Sequence, residues 1–447
     1  MDLCSSVGPF GRGSRRFVPP VSALNYPDSV QFLYALGNEI KTAKLGLERI
    51  GCVLRALGQP QDGLRFVHVA GTNGKGSTCA MLESGLRAAG ERTGLFTSPH
   101  LSQPTERIRI SGRAIFSEQF AEAFNRVHRA VEDLLAAGEL DWHTTYFETV
   151  TAMAFLVFAE AKTDRVVLEV GLGGRLDATN VIDPELCVIA PVDFDHESFL
   201  GRSLEAIAGE KAGILKPGRP AVLARQRPEA GRVLEARAKE LGIRIDRTSD
   251  WRIEELQLDA RGSRFLLSGE RHLRIRCPLA GEHQVENAAT AAIGLARLGV
   301  SDEAIEEGIA ATRWPGRLEH VSESPEIILD GAHNPAGARA LAAYISRFYA
   351  GRRVLLIFGT MRDKAVDEIA GILFPLAAKV IVTAPQQARA LAPEAVRELA
   401  GHPAVQAAHG IDEALAMAAG AEPGDVIFIT GSLFLVAEAR DRIGPRQ

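Results

Sequence analysis

Apolar residues recur along this chain in two patterns, helical spacing and short unbroken runs. The spacing in SVQFLYALGNEIKTA, from Ser29 onward, predicts an amphipathic helix, so we expect the ordered protein to begin near Asn25. Residues 1–24 contain Arg, Gly and Ser with a single acid and are predicted to be a disordered extension, with a transit peptide as the alternative. RFVHVAGTNGKGSTCAMLESGLRAAG then predicts a strand, a glycine loop and a helix that ends at a glycine.

The same alternation of helix and strand returns further along the chain. YFETVTAMAFLVFAEAK predicts a helix, RVVLEV and LCVIAPV predict strands, and a further helix is expected from about Val285 to Leu298. Buried strands between helices indicate a parallel sheet. From about Ser249 to Pro278 the apolar runs are short and alternate with polar residues, which predicts a small antiparallel insert.

The segment RWPGRLEH, which holds Pro315 and Gly316, interrupts the helical pattern and predicts a domain boundary. Beyond it, strands are expected at IILD, RVLLIFG, KVIVTA and VIFITG, between helical stretches. The predicted fold class is α/β. Residues 25–311 should form a P-loop-type, mainly parallel sheet domain with the antiparallel insert, and residues 312–447 a smaller, doubly wound Rossmann-like domain.

Composition narrows the class of partner. The 447 residues include 51 Lys and Arg against 56 Asp and Glu, and the net charge of -5 argues against broad attraction to nucleic acid or anionic membranes. The five cysteines are scattered without a C-x-x-C pair, which favours a reducing compartment. No apolar run approaches the roughly 20 residues that span a bilayer. We therefore expect a cytoplasmic monomer with small-molecule partners, no nucleic acid and no membrane.

The segment GTNGKGS, from Gly71, lies between the first predicted strand and its helix and is the strongest candidate for phosphate binding. Glycines let backbone N–H groups turn inward, the helix N-terminus is positive, and Lys75 adds a point charge. The usual P-loop pattern is not met, because its first glycine would fall at Val69 and Gly76 separates the lysine from the serine. A glycine turn that only joins strand to helix is the alternative. The candidate ATP-binding residues here are Thr72, Asn73, Gly74, Lys75, Gly76 and Ser77.

Eight further blocks follow this loop in a fixed order: FTSPHL, ERIRI, FETVTAMAF, EVGLGGRLDATN, DFDHESFLG, EKAGILKPG, WPGRLE and LDGAHNP. Together they resemble the folylpolyglutamate synthase/dihydrofolate synthase family of the Mur ligase superfamily, from about Leu45 to Leu435. The resemblance implies an ATP-dependent ligase that adds L-glutamate to dihydropteroate, to reduced folate polyglutamates or to both, through an acyl phosphate. The products would be the glutamyl amide, ADP and phosphate.

The resemblance also implies two Mg²⁺ sites beside the phosphates. Ser98 and Glu148 would bind one ion, and His196 and Lys211 would belong to the second, with Lys211 carbamylated. Carbon dioxide adds to a neutral amine, so burial that lowers the lysine pKa would favour this modification. From the residues alone, the alternatives are a helix-terminal acid for Glu148, a loop histidine for His196 and a surface lysine for Lys211.

The family pattern also implies catalytic and substrate-binding residues. The candidate catalytic residues are Lys75, Lys211 and His333. Asp330 and His333 end an apolar strand, where open α/β sheets bind ligands, although a turn-stabilising role for the histidine is the alternative. The further candidates for ATP are Asn287, Arg317 and Asp330. The candidates for the pterin and glutamate substrates are Leu45, Gly46, Leu47, Asp177, Ala178, Asp330, His333 and Ser432.

Three other classes of protein remain as alternatives. A Mur-type ligase of peptidoglycan precursors is disfavoured by the blocks GTNGKGS and GGRLDATN. A regulatory nucleotide-binding ATPase has no evident need for Asp330 and His333. A structural α/β protein is disfavoured because so many polar blocks follow predicted strands. The choice between the two pterin substrates stays open, as does the length of any glutamate tail.

Overall fold

The computed structural model describes residues 23–37, 46–400 and 405–444. Leu45 and residues 1–22 of the predicted extension lie outside these ranges. The first helix, α1, is Tyr26–Ala35, and Asn25 caps it by accepting a hydrogen bond from the Asp28 N–H at 3.0 Å. The cap at Asn25 and a proline in the first turn explain why α1 begins where it does.

The first sheet lies in the N-terminal two-thirds of the chain. Its strands are β1 Phe66–Ala70, β2 Thr93–Phe96, β3 Ile108–Ile110, β4 Arg113–Ala114, β5 Arg165–Glu169, β6 Leu186–Ile189, β7 Ala221–Leu223 and β8 Ile245–Arg247. The helices around it, after α1, are α2 Glu48–Ala56, α3 Lys75–Ala88, α4 Ser117–Ala137, α5 Tyr146–Glu160, α6 Glu197–Leu200, α7 Leu204–Ala212, α8 Pro228–Leu241, α9 His283–Arg297 and α10 Asp302–Ala310.

In the described part of the chain the strand order is β4-β3-β2-β5-β1-β6-β7-β8, with antiparallel pairing only at β2–β3 and β3–β4. The mainly parallel sheet that the sequence predicts is therefore confirmed. Every residue of β1 and β5 is buried, because helices cover both faces of the sheet. Their carboxyl ends, together with that of β6, place the loops that form the cleft described below.

The antiparallel insert is confirmed as well. It consists of β9 Arg252–Asp259, β10 Gly262–Ser268 and β11 His272–Cys277, paired in the order β11-β10-β9. The alternation seen in the sequence reflects one buried face, since Phe265, Leu267, Leu273 and Ile275 join the core beneath α3 and α9. The insert packs against α10 and α9, and these two helices in turn pack against α3, the helix that follows the glycine loop.

The second sheet occupies the C-terminal part. Its strands are β12 Glu319–Glu323, β13 Glu326–Leu329, β14 Val354–Phe358, β15 Lys379–Val382, β16 Val405–Ala407 and β17 Val426–Thr430. Its helices are α11 Pro335–Phe348, α12 Val366–Leu373, α13 Pro393–Ala400, α14 Ile411–Ala418 and α15 Leu433–Ile443. The strand order over the described residues is β12-β13-β17-β14-β15-β16, parallel except at β12.

The four strands predicted here are β13, β14, β15 and β17, and the two edge strands were missed. β12 and β16 are only partly buried, so they lack the unbroken apolar run that marks a central strand. Across the described ranges, none of the helices is both long enough and apolar enough to cross a membrane.

Candidate functional site

A cavity of about 370 Å³ lies between the carboxyl ends of β1, β5 and β6 and the facing edge of the second sheet. We call it the cleft. It brings together most residues that the sequence proposes for ATP, metal and catalysis, namely Thr72, Asn73, Gly74, Lys75, Gly76, Ser77, Ser98, His196, Lys211, Asn287, Arg317, Asp330 and His333. Open α/β sheets bind ligands at such carboxyl ends.

The glycine loop joins β1 to α3 at the floor of the cleft. Gly74 has a φ of +83°, a left-handed conformation that suits glycine, and α3 begins at the next residue. A Cβ on Gly74 would lie 2.3 Å from Oδ1 of Asn287 on α9, so a larger residue does not fit there. The first turn of α3 lines the cleft, and the Lys75 ammonium donates to the Thr72 carbonyl at 3.2 Å. A helix N-terminus beside an ammonium group is suited to phosphate.

The loop is fixed by the strand end next to it. The N–H groups of Thr72 and Asn73 donate to the carbonyl of Pro191 at 2.9 and 3.2 Å, after β6. The Thr72 hydroxyl donates to the Asp193 carbonyl at 2.9 Å, and the Asp193 N–H donates back to it at 3.0 Å. Because these bonds hold the loop in place, a ligand does not have to order it on binding.

Glu169, which the sequence analysis missed, brings a buried carboxylate to the cleft. It ends β5, lines the cleft, and its Oε2 accepts a hydrogen bond from the Ser98 N–H at 3.0 Å. Burial raises the pKa of Glu169, and the Lys75 ammonium partly offsets that rise. The EVGLGG block held the clue, since an acid at the end of an unbroken apolar strand points to the ligand edge of the sheet.

Lys211 is on α7 and is buried, not solvated. Its Nζ donates to the Gly71 carbonyl at 2.8 Å, so the side chain reaches under the glycine loop. Burial, together with the nearby Lys75 charge, lowers the pKa of this lysine to about 7. A substantial neutral fraction is therefore present near neutral pH.

A second acid that the sequence did not single out, Asp195, connects the two halves of the cleft. Its carboxylate contacts Lys364 at 2.7 Å, Asn334 at 3.2 Å and Nε2 of His333 at 3.5 Å, all from the C-terminal part. Burial alone would raise the pKa of Asp195, but the hydrogen bond from His333 and the Lys364 charge hold it well below its usual range. The neighbouring His196 has a pKa lowered to about 4 by burial.

Arg317 and Asp330 lie on the C-terminal side of the cleft. Asp330 follows β13 and accepts hydrogen bonds from the N–H groups of Leu318 at 3.1 Å and Ala332 at 3.0 Å. Burial raises its pKa and lowers that of Arg317, and the attraction between the two charges opposes both shifts. His333 donates from Nδ1 to the Gly331 carbonyl at 2.8 Å, which leaves Nε2 facing Asp195.

Glu148 does not line the cleft, although it is in the first turn of α5 as expected. Nε of Arg49 donates to its two carboxylate oxygens at 3.0 and 2.8 Å, and the Thr145 N–H donates to Oε2 at 2.8 Å in a capping box. These bonds occupy the carboxylate with helix capping and an ion pair. Its role as a metal ligand stays a prediction.

The remaining described candidates also lie outside the cleft lining. Asp177 accepts hydrogen bonds from the Leu172 N–H at 2.8 Å and the Thr179 N–H at 3.0 Å. It thus shapes the segment that follows β5, which is distinct from the glycine loop after β1. Ser432 caps α15 by accepting from the Phe434 N–H at 3.1 Å. The other predicted substrate-binding residues are Gly46 and Leu47, which precede α2, and Ala178, which lies in the core beside α5.

Comparisons with protein families define the class of this protein. The family described as Mur ligase middle domain matches residues 69–296, and the family described as Mur ligase, glutamate ligase domain matches residues 316–433. Both matches include loops that form the cleft. The chain is thus a Mur-type, ATP-dependent ligase.

Full-length relatives narrow the family. A dihydrofolate synthase/folylpolyglutamate synthase of Bacillus subtilis (strain 168) is 36% identical over 413 residues, which cover 90% of this chain and 95% of that protein. The structure of Mycobacterium tuberculosis folylpolyglutamate synthase with ADP and AMPPCP matches at a TM-score of 0.87 and 34% identity, over 94% of this chain and 100% of that chain. The structure of E. coli FolC in complex with DHPP and ADP matches at a TM-score of 0.84 and 34% identity, over 93% of this chain and 97% of that chain. This chain belongs to the dihydrofolate synthase/folylpolyglutamate synthase family, as its motifs imply.

Proposed function

We propose that this protein adds L-glutamate to dihydropteroate, to reduced folates or to both, and forms ADP and phosphate. The observation that carries the proposal is the cleft itself, where a phosphate-binding loop, buried acids and cationic side chains from both sheets converge. Family membership supplies the substrate class. A regulatory ATPase does not account for Asp330 and His333 on the opposite side of the cleft from the loop.

The reaction requires a carboxylate to become a good electrophile. The γ-phosphoryl group of ATP passes to a substrate carboxylate oxygen, and the glutamate nitrogen then attacks the carbonyl carbon as phosphate leaves. Lys75 and the first turn of α3 hold the phosphates, while Arg317 offers a guanidinium to phosphate oxygens from the other side. His333 and Asp330 place the incoming amino acid.

The donors at the cleft fit the divalent metal that such ATP-dependent ligases use. Hard Mg²⁺ prefers oxygen ligands, and Glu169 with the Ser98 hydroxyl supplies them at one side of the phosphate loop. We therefore assign this site to Ser98 and Glu169, with Glu148 as the earlier candidate. A second site is proposed near His196 and Lys211. Bound metal would neutralise charge on the transferring phosphoryl group.

Carbamylation of Lys211 is supported by its surroundings. The reaction with carbon dioxide needs an unprotonated amine, and burial with a pKa of about 7 provides one. The carbamate would add two oxygens beside the glycine loop, where Nζ already lies 2.8 Å from the Gly71 carbonyl. We propose a cytoplasmic monomer, with domain boundaries at residues 24/25 and 311/312 and the glutamate site in the C-terminal domain.

The direct test is phosphate release by the purified chain with ATP, Mg²⁺ and L-glutamate. We expect release when dihydropteroate or a reduced folate is added, with mass spectrometry showing one added glutamyl residue. Separate reactions with the two pterins determine which substrate is used. Release that does not depend on either pterin would instead support a regulatory ATPase, and no release at all would reject the assignment.

Lys75→Ala tests the phosphate site within the same assay. Loss of its charge should lower turnover by roughly 100-fold or more, because a positive group at the transferring phosphoryl stabilises charge that develops in the transition state. Circular dichroism should show an intact fold. Lys239→Ala, on the exposed side of α8, is the matched control and should keep full activity. Full activity in Lys75→Ala would mean that the nucleotide binds elsewhere.

A further inference from the structure

Three side chains outside the cleft converge beside the C-terminal half of α4. His128 and Glu132 are one helical turn apart on α4, and His143 lies in the segment before α5. Oε1 of Glu132 is 3.8 Å from Nδ1 of His128 and 3.8 Å from Nε2 of His143. One ligand atom from each residue fits within a spread of 4.8 Å. Two imidazoles and one carboxylate thus face a common point.

The two ring nitrogens at this point are otherwise unused. Among the described residues, Nδ1 of His128 and Nε2 of His143 are buried without a hydrogen-bond partner. His128 itself is only 5% exposed. A buried polar atom without a partner costs about 1–3 kcal/mol, so a ligand that bonds to both nitrogens is the natural explanation for two such atoms side by side.

The other nitrogen of His143 determines its tautomer. Nδ1 of His143 lies 3.0 Å from the carbonyl oxygen of Thr144, which can only accept a hydrogen bond. The Thr144 hydroxyl lies 3.2 Å from the same Nδ1; in the tautomer in which Nδ1 donates to the carbonyl, Nε2 presents its lone pair toward Glu132. Metal-binding histidines commonly donate their second nitrogen to a backbone carbonyl in this way.

Aromatic packing holds the rings in this orientation. The Phe32 ring centroid lies 4.6 Å from that of His128 and 5.5 Å from that of His143, and the Phe124 ring stacks on His128 at 5.5 Å. Both imidazoles are thus positioned by apolar neighbours, and their free nitrogens point to Glu132. A site with ligands fixed in advance loses less conformational entropy when an ion binds.

We propose that His128, Glu132 and His143 bind a divalent transition metal of the Zn²⁺ class. Imidazole nitrogen favours such borderline ions over Mg²⁺, and two histidines with one glutamate form a known three-ligand set for zinc. A tetrahedral ion with bonds of roughly 2.1 Å separates its ligands by roughly 3.4 Å. The two distances of 3.8 Å and the overall spread of 4.8 Å close by small movements of the ligands, above all of Glu132, whose side chain is 39% exposed.

That exposure also defines the fourth coordination position. Because Glu132 borders solvent while both histidines are more buried, the open position faces water. The bound ion would join α4 to the segment that leads into α5, and would stabilise the fold at a distance from the glycine loop. None of the three residues lines the cleft in the described part of the chain.

Cobalt(II) is a suitable probe, because it accepts the same ligands and absorbs visible light when four-coordinate. Metal-free full-length protein is titrated with Co²⁺ in a large excess of Mg²⁺, which occupies oxygen-rich sites. We expect a four-coordinate spectrum that saturates at one equivalent and is displaced by Zn²⁺. Glu132→Gln and His143→Gln should weaken Co²⁺ binding by more than about tenfold, the loss seen even when only a residue that orients a metal ligand is changed.

Two controls separate this site from the rest of the molecule. Glu122→Gln changes an exposed acid on the same helix, and His196→Gln changes the histidine in the cleft; both should retain the signal. Zn²⁺ should also raise the Tm of the wild type more than that of Glu132→Gln. A spectrum that persists in Glu132→Gln and His143→Gln, or that disappears in His196→Gln, would overturn the proposal, as would the absence of any spectrum.

Discussion

At the scale of single residues, the two acids near the cleft lead to opposite expectations. Glu169 lines the cleft beside Ser98, whereas Glu148 is paired with Arg49. Glu169→Gln should lower kcat by roughly 100-fold and raise the Mg²⁺ concentration needed for half-maximal activity, because one charged oxygen ligand is lost. Steady-state kinetics at several Mg²⁺ concentrations measure both effects.

Glu148→Gln provides the comparison for that experiment. It breaks a largely buried ion pair with Arg49 and one half of a capping box, so it should cost about 1–3 kcal/mol of stability. The Mg²⁺ dependence of the folded enzyme should remain that of the wild type. A change in Mg²⁺ dependence in Glu148→Gln but not in Glu169→Gln would restore the original assignment of Glu148.

The pKa of Lys211 predicts how its modification depends on pH. Burial lowers that pKa to about 7, below the value in the unfolded chain. The neutral amine therefore becomes abundant as pH rises through about 7. By the same linkage, the lysine's contribution to stability falls as pH decreases from the ordinary lysine pKa toward about 7, because the unfolded chain binds the extra proton. Carbamate should therefore increase as pH rises.

Carbon-13 NMR with labelled bicarbonate measures this directly. A carbamate resonance should grow in the wild type between about pH 6 and about pH 8, where the neutral fraction changes most. Lys211→Arg should lack it. Lys216→Arg is the matched control, since Lys216 is a partly buried lysine five positions away, and it should retain the resonance. The assignment to Lys211 fails if the two variants behave in the opposite way.

Sequence reasoning placed some of these residues and could not place others. Lys75 belongs to a continuous loop, so its position follows from a few neighbouring residues. Glu148 and Glu169 each depend on a distant partner, since Arg49 is 99 positions from one and Ser98 is 71 positions from the other. Both acids end or begin a regular element, and only the packed structure shows which one faces the cleft.

At the scale of elements, the turn from β1 to α3 depends on the conformation of Gly74. Gly74→Ala should cost about 1 kcal/mol for the left-handed backbone, and its Cβ would also meet Asn287 at 2.3 Å. We therefore expect a clear loss of ADP affinity, measured by isothermal titration calorimetry. Gly90→Ala is the matched control, because Gly90 has a φ of +88° but nothing within 4 Å of an added Cβ.

In both variants the left-handed backbone at the new alanine should lower the free energy of unfolding by a similar amount. Only Gly74→Ala should also lose affinity for the nucleotide. Chemical denaturation measures the first effect and calorimetry the second. Equal ADP affinity in the two variants would show that the shape of this turn does not matter for nucleotide binding. Weak binding in Gly90→Ala would point to a general effect of destabilising α3.

The elements themselves were well predicted wherever a local pattern determines them. The unit β1–loop–α3 and the central strands β13, β14, β15 and β17 follow from unbroken apolar runs between helical segments. The edge strands β12 and β16 were missed, because a partly exposed strand of three to five residues resembles a loop in sequence. Edges are defined by the neighbour they pair with, which the local sequence does not contain.

At the scale of the whole molecule, the two sheets meet at the cleft through polar contacts centred on Asp195. Nδ2 of Asn334 donates to Oδ1 of Asn73 at 3.0 Å and to Oδ2 of Asp195 at 3.2 Å, and Lys364 adds its ammonium at 2.7 Å. These bonds connect the glycine loop to the C-terminal part. Polar contacts between domains permit relative motion more readily than a large apolar interface does. Closure of the cleft would exclude water from an acyl phosphate.

Lys364→Met tests whether this ion pair holds the closed arrangement. Lys364 and Asp195 side chains are 10% and 11% exposed, so removing the ammonium leaves a largely buried carboxylate with fewer partners and should cost about 1–3 kcal/mol in the closed state. We expect kcat/KM to fall by roughly tenfold and small-angle X-ray scattering to show a larger radius of gyration. Arg339→Ala removes a pair with Asp193 at 3.8 Å across the same cleft and an exposed pair with Glu368 at 3.0 Å, and it should change little. If both variants matched the wild type in scattering and in kcat/KM, the contacts around Asp195 would not control closure.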